Sequence, residues 1–195
     1  MPVMARPREF DRDVALAGAI ATFAGQGYEG TSTDILLKRM GIGRQSLYDT
    51  FGDKRRLYLE ALRSYCRAST TEMIDLLNSH PSARAGLEAA LLAFAARPAS
   101  LPEHGCLGVG AICEFGISDP DVSAIVAASG AILLSAFAAA VEQGKAAGEF
   151  PADLVPEAAA HFLAATLTGL KVTARGGAGT EVLRNIVRMA LRSLT

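Results

Sequence analysis

A short polar segment in the first third of the chain carries side chains suited to contact a nucleic acid. Arg44, Gln45 and Ser46 follow one another and can reach base edges or phosphates. Leu47 and Phe51 lie four residues apart, which is the spacing that holds one face of a helix against its domain. Since arginine pairs with guanine and glutamine with adenine, Arg44 and Gln45 are the candidate base readers. The segment is typical of a helix that enters the major groove.

The elements that must position this segment are predicted to be short helices. Asp11 is placed to cap a first helix, and Gly27 is placed to end it. Thr31 is the expected cap of a second helix, because Asp34 follows three residues later as in a capping box. Gly41 ends the second helix and starts a tight turn into the polar segment. Three short helices, the last two joined by a glycine turn, predict a helix-turn-helix domain.

Composition and charge agree with a helical protein that contains a small DNA-binding module. Half of the 195 residues are hydrophobic, and alanine and leucine dominate, which favours helices over sheets. The net charge of −1 divides into +2 for residues 1–56 and −3 for residues 57–195. The absence of tryptophan argues against an aromatic platform for single strands. We predict an all-α chain, with a DNA-binding domain at 1–56 and a helical effector-binding and dimerisation domain at 57–195.

A gapless pattern of small, aromatic and basic residues runs through residues 8–57 and ends at Lys54. Its members are Ala19, Phe23, Gly27, Tyr28, Glu29, Gly30, Thr31, Ser32, Asp34, Ile35, Gly41, Ile42, Leu47, Tyr48, Phe51 and Lys54. This pattern resembles the DNA-binding domain of the TetR family of bacterial transcriptional repressors. The resemblance implies that double-stranded DNA is contacted by Thr33, Arg44, Gln45, Ser46, Tyr48 and Lys54.

Physical chemistry assigns different roles to these residues. Thr33 and Lys54 lie at expected helix N-termini, where backbone N–H groups also attract phosphate, so they should position the domain. Tyr48 is expected to donate its hydroxyl to a phosphate. Three positions depart from the family pattern and bear on which bases are read: Gly43, Asp49 and Thr50.

The second half of the chain resembles the effector domains of the same family. The resemblance implies a homodimer formed through the last two helices, a cavity for a small apolar effector, and release of a palindromic operator when the effector binds. The final helix has a wide apolar face, which indicates a partner helix beyond one neighbour: Val182, Leu183, Ile186, Val187, Ala190, Leu191 and Leu194. A large monomeric core is the alternative. The candidate effector-binding residues are Leu91, Phe94, Val109, Cys113, Phe137, His161, Phe162 and Thr166.

Two further expectations concern helices and compartment. A helix from Ser82 to Arg97 is predicted, and the uncharged stretch 122–141 is predicted to be a helix buried on most sides. The stretch is as long as a membrane span, but alanine and serine would insert poorly, so no membrane association is expected. An odd number of cysteines and no visible signal peptide favour the cytoplasm.

Other function classes remain open at this point. Cys106 and Cys113 are seven residues apart and would share a helix face, so a regulator that senses oxidants or electrophiles is one alternative. A small helical enzyme with a Cys, His161 and Glu114 as its reactive set is another, although no local motif supports it. A DNA-binding dimer without any ligand is a third. No cofactor or metal is predicted, since the three histidines are scattered.

Overall fold

The computed structural model describes residues 10–93 and 106–195, and within these ranges the chain forms nine α-helices and no strand. The helices are α1 Arg12–Gln26, α2 Thr33–Met40, α3 Arg44–Phe51, α4 Lys54–Asn78, α5 Ala83–Leu92, α6 Leu107–Phe115, α7 Pro120–Ala146, α8 Pro156–Arg175 and α9 Thr180–Arg192. The predicted all-α class is confirmed. The predicted helix from Ser82 to Arg97 is observed as α5 up to Leu92, and residues 94–97 lie outside the described ranges.

Two hydrophobic clusters organise the molecule, and α4 passes through both. The head cluster joins α1, α2, α3 and the first half of α4, and it also takes in Leu107, Ala111 and Val122 from α6 and α7. The body cluster joins the second half of α4, from Met73, to α5, α7, α8 and α9. The boundary predicted at 56/57 falls in the first turn of α4. The head therefore packs directly on α6 and α7, which belong to the second half of the chain.

Local signals in the sequence explain most of the helix ends in the head. The Asp11 carboxylate accepts the N–H groups of Asp13 and Val14 at 2.8 and 3.2 Å and so caps α1. Gly41 ends α2 with a φ of +65°, a left-handed conformation that favours glycine. At Gly18 a Cβ would lie 2.9 Å from the carbonyl oxygen of Arg39, so glycine lets α1 cross α2 closely.

The cap predicted for α2 was wrong by one residue. Ser32 is the cap, and its Oγ accepts the N–H of Ile35 at 3.3 Å. Thr31 is buried, and its hydroxyl donates instead to the carbonyl of Gly27 at 2.6 Å. Because that carbonyl lies at the end of α1, Thr31 ties the two helices together and leaves the cap to its exposed neighbour. Asp34 is consequently one position nearer the start of α2, with its carboxylate available to α3.

The prediction that the uncharged stretch is buried on most sides was also wrong. This stretch lies in α7, and only 17 % of its most apolar window is buried. Phe137 and Val141 face the body cluster, whereas alanines cover much of the outer face. Small side chains expose little apolar area each, which is why an uncharged helix can lie at the surface. By length and composition alone α7 could cross a membrane, and a single helix of this kind is weak evidence for one.

The apolar face of α9 is used mostly inside the chain. Leu183, Val187, Ala190, Leu191 and Leu194 are buried, four of them in the body cluster, whereas Val182 is 49 % exposed. The width of this face therefore does not by itself require a second copy of the chain, although the sequence pattern indicated a partner helix beyond one neighbour. Other exposed apolar side chains on α8 and α9 bear on that question below.

Candidate nucleic-acid interface and adjoining cavities

The N-terminus of α3 is open and polar. Gly43 is its cap residue and supplies no side-chain hydrogen bond, so the first N–H groups of the helix stay available to an acceptor such as phosphate. Arg44 and Gln45 are exposed in the first turn, while Leu47 and Phe51 are buried in the head cluster. The helix is thus held by one face and presents the other, as its sequence predicted.

Both candidate base readers contact carboxylates of the same chain. Arg44 Nη2 lies 2.6 Å from Asp34 Oδ1 in an exposed ion pair between α3 and α2. Gln45 Nε2 donates to Asp49 Oδ1 at 2.8 Å, one helical turn further along. Exposed pairs of this kind contribute only about 0–1 kcal/mol, so a base or phosphate can replace the carboxylate. The contacts prearrange the two side chains at little cost to DNA binding.

The remaining predicted DNA contacts lie on α2, α3 and α4. Thr33 is the first residue of α2, Tyr48 is 46 % exposed on α3, and Ser46 is half-buried beside it. Lys54 is the first residue of α4, which Asp53 caps by accepting the N–H of Arg56 at 2.8 Å.

An aromatic group fixes the position of Lys54. Its Nζ lies 4.1 Å from the centroid of the Tyr28 ring, a cation–π contact. That ring packs in turn against Phe23, Tyr58 and Phe115, with centroid distances of 6.4, 5.0 and 5.7 Å. Lys54 is therefore held on a rigid base at the edge of the candidate interface.

Family models match most of the chain. "Bacterial regulatory proteins, tetR family" matches residues 15–61, and "Tetracyclin repressor-like, C-terminal domain" matches residues 83–190. The chain belongs to the TetR family. Like other TetR-family proteins it is a DNA-binding transcriptional regulator, which confirms the function class predicted from the resemblance.

Individual TetR-family relatives cover different parts of the chain. The uncharacterized HTH-type transcriptional regulator YezE of Bacillus subtilis (strain 168) is 44 % identical over 81 residues, which is 42 % of this chain and 42 % of that protein. The HTH-type transcriptional repressor ComR of Escherichia coli (strain K12) is 28 % identical over 96 % of this chain and 90 % of its own length. A cysteine mutant of the TetR family regulator CifR, solved with a 26-bp double-strand operator DNA, is 36 % identical and has a TM-score of 0.86. That alignment covers 98 % of this chain and 100 % of CifR.

A carboxylate on α6 joins the body of this TetR-family chain to its DNA-binding head. Glu114 accepts the N–H of Tyr28 at 2.8 Å and the N–H of Glu29 at 2.7 Å, in the turn between α1 and α2. Gly27 adjoins this contact with a φ of +74°, and a Cβ there would lie 2.9 Å from Glu114 Oε2. We call these two hydrogen bonds the Glu114 contact. The sequence offered one signal for it, a single charged residue inside an apolar, glycine-rich helix.

A second polar contact joins α4 to the start of α7. Arg55 pairs with Asp119 at 2.6 Å and lies 3.4 Å from Asp121. The Arg55 hydrogen bond, helped by the N–H of Val122, lowers the pKa of the Asp119 carboxyl below its usual value. Because Asp119 also caps α7, this contact fixes where that helix begins relative to the head.

Two cavities adjoin α6. The body cavity, of about 530 Å³, lies between α4, α6, α7 and α8. The junction cavity, of about 570 Å³, lies between α6, α8, α4 and the end of α1, and so touches both head and body. Three residues line both, namely Cys106, Val109 and Lys171.

The predicted effector residues are distributed unevenly around these cavities. Val109 lines both, Cys113 lines the junction cavity, and His161 lines the body cavity. Leu91 and Phe137 are completely buried in the body cluster. Phe162 and Thr166 line neither cavity: Phe162 is 43 % exposed, and Thr166 donates its hydroxyl to the Phe162 carbonyl. Phe94 lies outside the described residues.

The residues considered for an enzyme are not gathered into one set. Glu114 and Cys113 line the junction cavity, whereas His161 lines the body cavity, and Glu114 already accepts two backbone N–H groups. In the described ranges no three His, Cys, Asp or Glu side chains could hold a metal ion together.

Cys66, for which the sequence predicts no role, lies close to Cys106. The Sγ atoms of Cys66 and Cys106 lie 3.8 and 3.9 Å from the point where a Gly108 Cβ would be. Both cysteines are buried, and burial raises the pKa of the Cys66 thiol to about 11. Cys113 is exposed.

Proposed function

We propose that this protein is a cytoplasmic repressor that binds a palindromic operator as a homodimer and releases it when a small, mostly apolar effector binds. The observation that carries the proposal is the open N-terminus of α3, which presents the exposed side chains of Arg44 and Gln45. The related regulator CifR was solved on operator DNA, and the related ComR is named a repressor, which supports the same role for this chain. The relatives are regulators, so an enzymatic activity is not proposed.

Exposed apolar side chains on the last two helices support a dimer. On α8, Phe162 and Val172 are exposed with Ala165 and Gly169 between them, at spacings of three, four and three. On α9, Val182 and Met189 are exposed and lie seven residues apart. These spacings place one apolar stripe on each helix, as in a coiled-coil seam. A second copy related by two-fold symmetry would cover the stripes and place two α3 helices for two half-sites.

The effector is proposed to act through α6. This helix supplies Val109 to both cavities and ends at the Glu114 contact, which holds the turn between α1 and α2. A ligand that moves α6 by a fraction of an ångström therefore disturbs the head as well. Release of DNA needs only that the effector binds more tightly to the displaced arrangement than to the DNA-bound one.

Selection of bound fragments from genomic DNA tests the proposal. We expect enrichment of a few promoter fragments that contain an inverted repeat, and higher transcription of the adjoining genes when this chain is deleted. Enrichment with lower transcription on deletion would make the protein an activator. Recovery of fragments without a common sequence would contradict specific operator binding.

A cysteine-based sensor of oxidants or electrophiles is the second candidate, because exposed Cys113 lines the junction cavity beside Cys106. Cys113 is the residue that a soluble electrophile can reach, since the other two thiols are buried. Alkylation with N-ethylmaleimide should then lower the affinity for DNA in the natural chain and leave Cys113→Ser unaffected. Unchanged affinity in the alkylated natural chain would dismiss this candidate.

A further inference from the structure

The junction cavity has a wall that is apolar except for a small set of hydrogen-bond donors. Phe23, Leu107, Val109 and Val172 contribute apolar side chains to it. The charged or hydroxyl-bearing donors among its described residues are Tyr58, Lys171 and Arg175. A volume of about 570 Å³ lies within the range of small-molecule sites, which is about 300–1,000 Å³.

The Tyr58 hydroxyl has no hydrogen-bond partner among the described residues, although the residue is only 1 % exposed. Its ring is fixed by Phe23, Tyr28 and Phe115, with centroid distances of 5.0, 5.0 and 5.6 Å. Burial raises the pKa of Tyr58, so the hydroxyl stays protonated and is a donor. A buried hydroxyl without an acceptor destabilises a fold, and an oxygen on a ligand would remove that penalty.

The two cations lie four residues apart on one face of α8. Lys171 forms no ion pair with a carboxylate of the described chain. Arg175 donates one N–H to the Gly25 carbonyl at 3.3 Å, and its other donors have no acceptor among the described residues. Glu114 is the acidic residue of the described wall, and both of its oxygens already accept backbone N–H groups. Two cations against one carboxylate leave the described wall with a net positive charge.

We propose that the junction cavity binds a small apolar carboxylic acid that carries a second oxygen acceptor, such as a keto group. The carboxylate pairs with Lys171 and Arg175, and the apolar part lies against Phe23, Leu107 and Val109. The keto oxygen accepts the Tyr58 hydroxyl once the wall shifts to admit it, because less than 1 Å² of that hydroxyl oxygen is exposed in the structure. The regulatory consequence of this inference rests on the proposed function: a ligand between α1 and α6 would weaken the Glu114 contact and so release DNA. Binding itself concerns the protein without DNA.

Isothermal titration of the full chain with three matched probes tests the proposal. The probes are 4-oxo-4-phenylbutyrate, 4-phenylbutyrate and the primary amide of the oxo acid. We expect the oxo acid to bind best, the plain acid to bind more weakly, and the amide at least about tenfold more weakly, since pairs with a charged group are the stronger ones.

Variants decide which cavity is used. Lys171→Gln and Arg175→Gln should each weaken both acids by about tenfold, and Arg175→Gln is the variant that distinguishes the cavities, because Lys171 lines both. Tyr58→Phe should abolish the advantage of the oxo acid while leaving the plain acid unaffected, and it should fold at least as stably, because it removes an unpaired hydroxyl. His161→Gln is the control, since His161 lines the body cavity and not the junction cavity.

Three results would overturn the proposal: no binding of either acid, equal binding of the amide, or sensitivity to His161→Gln without sensitivity to Arg175→Gln. Each leaves the DNA-binding role intact, because that role is tested on DNA without ligand. Binding of the oxo acid without release of DNA would preserve the site and remove its regulatory consequence.

Discussion

Replacement of Glu114 tests whether α6 controls the position of the DNA-binding head. Glu114→Ala removes both hydrogen bonds to the N–H groups of Tyr28 and Glu29, whereas Glu114→Gln keeps one acceptor oxygen. Because solvent screens this exposed position, each bond is worth about 1 kcal/mol, the value of an ordinary hydrogen bond, so the pair contributes about 2 kcal/mol. If the contact forms only in the arrangement that binds DNA, its loss favours the competing arrangement, and operator affinity falls by up to about 30-fold in the alanine variant and up to about fivefold in the glutamine variant.

Fluorescence anisotropy with a labelled operator measures this effect. Glu142→Gln is the matched control, because Glu142 is an exposed glutamate on α7 whose described contact is an ion pair with Lys145 at 3.6 Å. The far-ultraviolet circular dichroism spectra of all variants should match that of the natural chain. The Glu114 contact lies between helices, so its loss leaves the helix content unchanged. Operator affinity of Glu114→Ala within twofold of the natural chain would refute the reasoning.

Three further predictions concern DNA reading, assembly and pH. Arg44→Ala should relax sequence preference while Lys54→Ala weakens binding to all duplexes, and equal losses on specific and random DNA for Arg44→Ala would refute that division. Met189→Asp should convert the proposed dimer to a folded monomer in sedimentation, because Met189 is 64 % exposed within one chain and lies on the proposed interface; an unchanged dimer would place the interface elsewhere. Because Arg55 lowers the pKa of Asp119, this contact stabilises the fold above the usual aspartate pKa and is lost as pH falls through the lowered value. The melting temperature of Asp119→Asn should therefore be lower than that of the natural chain at pH 6, and the difference should shrink as the pH falls through the lowered pKa of Asp119. A constant difference would contradict the ion pair.

Short-range signals made the fold predictable. Caps at Asp11 and Asp53 and the left-handed Gly41 are decided within a few residues, so the sequence places the helix-turn-helix correctly. The same local reasoning failed at Thr31, because its hydroxyl has a competing acceptor at the end of α1. Two hydroxyl residues in a row offer equal local caps, and only the packing of α1 on α2 distinguishes them.

Long-range features were beyond the sequence. In the Glu114 contact the carboxylate is separated from its two partners by 86 and 85 positions of sequence. The residues around Glu114 do not indicate which backbone N–H groups it will bind. The exposure of α7 likewise depends on how many neighbouring helices contact it, and hydrophobic periodicity cannot show this in the stretch 122–141, which has no charged residue on any face. The residues that line a cavity were the hardest feature to predict. Leu91 and Phe137 are apolar side chains on helices, as many cavity-lining residues are, but both are completely buried in the core.

Selection of bound duplexes from a random pool tests the central claim most directly, namely that two copies of α3 read DNA as a symmetric pair. The account predicts an inverted repeat whose half-site centres are one helical turn, about 34–36 Å, or a multiple of it apart. Arg44→Ala should lose one specified base pair in each half-site. Enrichment of a single unrepeated site, or of no sequence at all, would contradict it.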